Sequence, residues 1–570
     1  MKNKLVLLFL GCAVLGYAQK KPAKNTVKIK PKSEFVAELM SKMTLDEKLG
    51  QLNLPTSGDI TTGQANSSNV AKNIAEGKVG GLFNIKSVQK IKEVQKIAVE
   101  QSRLKIPLLF GMDVIHGYET TFPIPLGLSC TWDMGLIERS AQIAAQEASA
   151  DGINWTFSPM TDISRDPRWG RVSEGSGEDP YLGSEVAKAM VFGYQGTDLS
   201  KNNTMLACLK HFALYGAPEG GRDYNTTDMS RVRMYNEYFP PYKAAVDAGV
   251  ASVMMSFNEV DGIPASGNKW LVDDVLRKQW KFNGFVVSDY TGIPEMTNHG
   301  VGDAQTVNAM SMNAGVDMDM VGEGFLNTMK KSLQEGKVTL AQINKACERI
   351  LISKYQLGLF DDPYRYCNEQ RSATEVFTAA NRAEARRIAA QSFVLLKNNN
   401  VLPIAAGKKI ALVGPLANAK ENMTGTWSVG ADNSKSISLL KGLTDAVGNN
   451  GKVVYAVGSN LEDDLELQKR QTLFEKDIAR DNRSAEEMIQ EALSISADAD
   501  VIVAALGESS EFSGESSSRT DLNIPDVQQK LLAELLKTGK PVVLVVFNGR
   551  PLTLNWEQKN VPAILTVWFG

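Results

Sequence analysis

Short apolar runs punctuate the first two thirds of the chain, each ending in polar or charged residues. They fall at Leu49–Leu54, Gly81–Ile85, Pro107–Phe110, Trp155–Phe157, Met205–Leu209, Ser252–Met255, Phe285–Val287 and Gly315–Met320. Helical spacing of apolar residues fills many of the intervals, as at Leu136–Ala148, Tyr235–Ala248 and Trp270–Trp280. Thr44 and Glu47 have the spacing of a capping box at a helix start. Strand candidates alternating with helices predict a (β/α)8 barrel over residues 35–365, with a doubly wound sheet as the alternative. Residues 366–388 are polar and read as an interdomain linker. Beyond residue 389, strands are predicted at Lys409–Val413, Lys452–Ala456, Asp500–Ala505, Pro541–Phe547 and Ala563–Val567. Helices fit between them at Leu439–Val447, Ala485–Leu493 and Asp526–Lys537, so residues 389–570 read as a parallel α/β sheet domain. The charged segment Asn460–Asp481 reads as a solvated insertion.

The N-terminus changes the compartment. Lys2 and Lys4 precede an apolar run from Leu5 to Leu15, then Gly16-Tyr17-Ala18. This is the pattern of a secretory signal peptide, cut after Ala18, with residues 19–34 a basic flexible leader. The protein is therefore expected in the bacterial periplasm or outside the cell. No later run is long and apolar enough to span a membrane. Of five cysteines, Cys12 leaves with the signal. Cys130, Cys208, Cys347 and Cys367 lack metal-site or disulfide-framework spacing and read as free thiols.

Composition is that of an ordinary globular protein: 570 residues, 43% hydrophobic, 22% charged, net charge −3. The mild acidity argues against nucleic-acid binding. With His116, His211 and His299 the only histidines, no metal centre and no cofactor is expected.

The predicted strand ends carry the chemistry. On a barrel, catalytic groups sit just beyond the C-terminal ends of the strands. Asp289 follows Phe285–Val287, with Tyr290 beside it; this suits a carboxylate attacking a sugar stacked on an aromatic face, or an Asp capping a helix. Lys210 and His211 are placed to bind sugar hydroxyls, or His211 is structural. Asp113, His116, Asn258 and Glu259 occupy similar strand-end positions. The charged run Asp162–Arg171 is either part of a site or a salt-bridged loop. Gly216–Asp223 is a glycine-rich loop without a phosphate-cradling pattern. In the second domain, the loop Gly507–Asp521 offers Glu508, Glu511 and Glu515. Glycoside hydrolysis needs two carboxyl groups flanking one bond, and a barrel Asp with a Glu from the neighbouring domain would supply them.

These strings, in order, are GMDVIHG, SRDPRWGRVSEGSGEDP, CLKHFALYG, GFVVSDY, SFVLLKN, ALVGPLA, GESSEFSGESSSRTDLNIP and VVLVVFNGRPL. Together they resemble glycoside hydrolase family 3, in particular its bacterial periplasmic β-glucosidases. The resemblance implies a barrel followed by an α/β sandwich, and exo-acting, retaining hydrolysis of β-glycosides. It implies Asp289 as nucleophile and Glu515 as acid/base, with Glu511 and Glu508 as second choices. Asp113, Arg171, Lys210 and His211 match the glycone binders. Tyr290 stands where many members have tryptophan, Trp427 closes the pocket from the second domain, and Arg222 is a weaker candidate. Two departures stand out. Phe257 replaces a tyrosine whose hydroxyl contacts the nucleophile, and residues 212–223 lack the histidine that serves as acid in the family's N-acetylglucosaminidases.

The reading is a double displacement on a β-glucoside, with Lys210 and Arg171 keeping Asp289 ionised. A β-xylosidase, a non-catalytic glycan-binding relic and a metal-dependent hydrolase are the alternatives. The chain ends at a strand end, Val567-Trp568-Phe569-Gly570, where family members continue. This predicts a truncated reading frame, poor shielding of Trp568 and Phe569, and weak folding or activity.

Overall fold

The apolar runs of the first domain close into one ring of parallel strands. The computed structural model describes residues 34–570 except 61, 63, 64, 66, 68 and 467–479. The expected signal peptide, the expected basic leader apart from Glu34, and residues 467–479 of the charged segment Asn460–Asp481 lie outside the described residues. The barrel strands are β1 (Asn53–Leu54), β2 (Gly81–Phe83), β3 (Leu109–Met112), β4 (Trp155–Thr156), β5 (Cys208–Phe212), β6 (Ser252–Met255), β7 (Phe285–Val287) and β8 (Asp319–Met320). Ladders join β2–β3–β4, β5–β6–β7 and β8–β1, all parallel. Parallel bridges Thr56–Phe83, Trp155–Leu206 and Val287–Met318 close the remaining gaps. Every residue of these strands is buried. That is why they read as unbroken apolar runs rather than alternating ones.

Helices cover the ring. Met134–Ala150 packs on Pro180–Gln195, which packs on Phe239–Asp247. Thr44 caps Leu45–Gln51 with the expected reciprocal bonds to Glu47. The run that starts at Leu49 is therefore helical through Gln51, and only its end is strand. A short hairpin, Glu259–Val260 with Ile263–Pro264, follows β6. Residues 366–388 hold the helix Glu369–Glu375 and most of Ala379–Ser392.

The second domain is a six-stranded sheet. Its strands are β9 (Val394–Asn398), β10 (Lys409–Val413), β11 (Lys452–Ala456), β12 (Val501–Gly507), β13 (Val542–Phe547) and β14 (Ala563–Thr566), in the order β9-β14-β13-β12-β10-β11. Five of them run parallel, but β9 pairs antiparallel with β14, so the sheet is mixed, not wholly parallel as expected. Ala485–Ala497 and Asp526–Lys537 cover one face. Leu439–Val447 lies on the other, with no residue of its own fully buried.

Trp568 and Phe569 are well shielded, against expectation, at 8% and 2% exposure. The Trp568 indole donates to Ser392 O, and Ile124 N donates to Phe569 O at 3.0 Å, docking this segment on the barrel. Phe393, Leu395, Leu396 and Ile437 are among the exposed apolar side chains. Phe393 and Ile437 border an apolar groove of about 740 Å³ beside the sheet. The four described cysteines are unpaired; Cys208 and Cys347 are buried, Cys130 and Cys367 half-buried. No helix among the described residues is long and apolar enough to cross a membrane.

Candidate active site

A cavity of about 570 Å³ opens at the C-terminal ends of the barrel strands, and the second domain completes its wall. Asp113, Lys210, His211, Phe257, Asp289 and Tyr290 reach it from the strand ends. Arg171 comes from the turn Gly170–Glu174 after β4. Trp427, Glu515 and Ser516 come from the second domain. Lys210 and His211 both line the cavity from within β5, not beyond its end, and the peptide between them is cis. Arg222 is exposed and does not line the cavity. Neither do Glu508 and Glu511. Glu508 is fully buried against Arg519 and Arg550, at 2.8 and 3.0 Å.

Asp289 has two unlike oxygens. Oδ1 accepts the Tyr290 N–H at 2.7 Å. Oδ2 is buried and accepts no hydrogen bond. Burial pushes its carboxyl up to about 7, while the charges of Arg171 and Lys210 pull it down. The two cations act in the expected direction, but desolvation outweighs them. Phe257 borders the same cavity and brings no hydroxyl to the orphan oxygen.

Arg171 organises the opposite wall. Its guanidinium is 2% exposed, grips Glu174 through two bonds and meets Glu515 Oε2 at 3.0 Å. Burial opposes its charge, but Glu174 and Glu515 hold it protonated. It also donates to His211 Nε2 at 2.9 Å. His211 Nδ1 faces Asp162 Oδ2 at 2.9 Å. An arginine must donate, so His211 is the neutral Nδ1–H tautomer. Burial and the neighbouring cations push its basicity well down, in agreement. His211 Nε2 lies 3.8 Å from Asp289 Oδ2, too far to hydrogen-bond.

Lys210 donates to Asp113 Oδ1 at 2.8 Å, and its ammonium sits 5.1 Å from the centre of the Trp427 ring. Burial disfavours its charge, but Asp113 restores it. Asp113 and Lys210 thus present an anchored donor–acceptor pair beside an aromatic face, suited to adjacent sugar hydroxyls. Burial raises the Glu515 carboxyl, Arg171 opposes this, and Asp223, Asp289 and Glu174 add to it.

The acid-bearing loop is sewn to the barrel. Gly514 N donates to Gly170 O at 2.8 Å, and Arg519 N to Arg168 O at 3.0 Å. A Cβ at Gly170 would fall 2.1 Å from Gly514 O, so this approach needs glycine. Fully buried Arg550 donates to Pro167 O and Arg168 O on the barrel, and to Phe512 O and Ser517 O on the loop. His116 bridges the domains elsewhere, with Nε2 2.7 Å from Thr426 O.

Sequence reasoning missed Tyr224. It lines the cavity, and its hydroxyl donates to Glu515 Oε1 at 2.6 Å. The available signal was an aromatic directly after the glycine-rich Gly216–Asp223 loop. Among the described residues no cluster of His, Cys, Asp and Glu is arranged to hold a metal ion.

The chain matches the Glycosyl hydrolase family 3 N terminal domain over residues 44–352 and the C-terminal domain of the same family over 393–570. It is 42% identical to the "Periplasmic beta-glucosidase" of Salmonella typhimurium, across 94% of this chain and 70% of the relative. It is 34% identical to a "Beta-xylosidase" of Formosa agariphila, across 92% and 74%. The crystal structure of a β-glucosidase from Listeria innocua in complex with isofagomine superposes with a TM-score of 0.86 at 39% identity, covering 94% of this chain and 72% of that one. On these matches the chain belongs to glycosyl hydrolase family 3 and is a glycoside hydrolase.

Proposed function

We propose that the protein is a retaining, exo-acting β-glucosidase, with Asp289 as nucleophile and Glu515 as acid/base. The observation that carries this reading is that Asp289, with its unpartnered Oδ2, and Glu515, from the other domain, line one cavity. In the first step Oδ2 bonds to the anomeric carbon, and the electron pair of the breaking bond goes to the leaving oxygen, which takes the Glu515 proton. In the second, Glu515 takes a proton from water as the water oxygen displaces Asp289. Trp427, Lys210, Asp113 and Arg171 hold the terminal sugar. The named activities of the Salmonella and Listeria relatives support glucose as that sugar. Residues 35–365 supply the barrel half of the site and 389–570 the other.

A panel of aryl β-glycosides, with the product anomer followed by NMR, tests the reading. The β-glucoside is expected to turn over fastest, releasing the β-anomer first. Asp289→Asn should lose at least about a thousandfold in kcat; near-normal turnover would refute its role. Glu515→Gln should regain activity with azide. We further propose export to the periplasm, supported by the leader pattern and the name of the Salmonella relative. N-terminal sequencing of the exported protein is expected to begin at Gln19.

A further inference from the structure

Glu515 has donors on both oxygens. Arg171 holds Oε2 at 3.0 Å and the Tyr224 hydroxyl holds Oε1 at 2.6 Å. Two donors suit the carboxylate, the form that must activate water. They do not suit the acid, which has to point a proton at the leaving oxygen. One donor therefore has to turn away when Glu515 is protonated. Arg171 is fixed by Glu174 and His211. The Tyr224 hydroxyl is a free rotor with a second partner in reach, Ser516 Oγ at 3.0 Å.

We propose that Tyr224 is a positioning residue whose hydroxyl alternates between Glu515 and Ser516 as Glu515 loses and regains its proton. This rests on Glu515 being the acid/base. With Glu515 protonated, the phenol donates to Ser516 Oγ and leaves Oε1 to serve the glycosidic oxygen. When the proton has passed to the leaving group, the phenol swings to the new carboxylate and orients it for water. Tyr224 itself keeps its proton throughout, since burial and the charges of Glu515 and Asp223 raise it far beyond the working range.

The ring is held while the hydroxyl turns. It meets Phe257 edge-on at 5.3 Å and Tyr215 at 6.3 Å. Asp223, the preceding residue, accepts Ser516 N at 2.8 Å and the Trp169 indole at 2.8 Å, fixing the two loops against each other. The charged groups bearing on Glu515 are Arg171 and Glu174 from the turn after β4, Asp223 from the glycine-rich loop and Asp289 just beyond the end of β7. Neither substitution below alters any of them.

Tyr224→Phe and Ser516→Ala make opposite changes. Losing the donor to the carboxylate should move the alkaline limb of kcat/KM on phenyl β-glucoside upward by about one unit. Losing the acceptor that serves the acid form should move it downward. On 2,4-dinitrophenyl β-glucoside, which needs little acid assistance, Tyr224→Phe should keep kcat/KM within about threefold. Its kcat, limited by the water step, should fall about tenfold to a hundredfold. Shifts of the same sign in the two variants, an unmoved alkaline limb, or equal losses in kcat and kcat/KM would each overturn the proposal. Glu515→Gln run alongside separates the two claims: if it hydrolyses phenyl β-glucoside normally, the acid/base assignment fails instead.

Discussion

The orphan oxygen of Asp289 ties the pH profile to one substitution. Asp289 attacks as a carboxylate, so kcat/KM should fall as pH drops through about 7, where burial has pushed its carboxyl. Phe257→Tyr would bring a phenol to this wall of the cavity. A hydrogen bond to the charged form lowers the limb, by about one unit, and a pH–rate profile reads it directly. The same group has a folding consequence. Its folded value lies above the ordinary 3.8, so its stabilising contribution is complete below that point and is lost as pH rises through 7. Asp289→Asn removes the charge, and its gain in Tm over the parent should be larger at pH 8 than at pH 4.

At the scale of elements, the site depends on a loop and the arginine behind it. Arg550 joins carbonyls of the 167–168 and 512–517 segments while neutralised by Glu508. Arg550→Gln leaves Glu508 with Arg519 alone, and breaking such a buried pair costs about 3–5 kcal/mol. The loop that carries Glu515 should then lose its register. Hydrolysis of phenyl β-glucoside is expected to fall about a hundredfold, the lower range of general acid catalysis. The dinitrophenyl glucoside should lose much less. What could be read in the chain follows the same division. Barrel strands buried on all sides appear as continuous apolar runs, so the ring and the strand-end placement of Asp113 and Asp289 were legible. The edge strand β9 was not, because Leu395 and Leu396 are half-exposed and its pattern shows no buried face. Tyr224 escaped because its importance lies in a contact 291 residues away. Arg171 was legible as a site residue, yet its grip on Glu515 depends on how two domains meet.

For the molecule as a whole, the two proposed catalytic carboxylates stand on separate domains, Asp289 at the end of a barrel strand and Glu515 on a loop of the sheet domain. The Gly170–Gly514 contact sets their approach. Gly170→Ala would force the loops apart, since the added Cβ would strike backbone rather than a movable side chain. Activity on phenyl β-glucoside should fall at least about tenfold, while the far-ultraviolet dichroism stays that of the parent. Which residues face each other across this seam depends on docking, and no local string encodes it. The eight expected site residues that line the cavity, from Asp113 to Glu515, were named from motif order instead.

A site divided in this way behaves as a coincidence detector. Turnover requires both halves in register, whereas spectroscopic signals from helices and buried tryptophans require only that each half remain folded. In a guanidinium titration, hydrolysis should therefore vanish at a lower concentration than either signal, and return first on dilution from that intermediate range. The enzyme's own product then becomes the most sensitive measure of how firmly its two domains hold together.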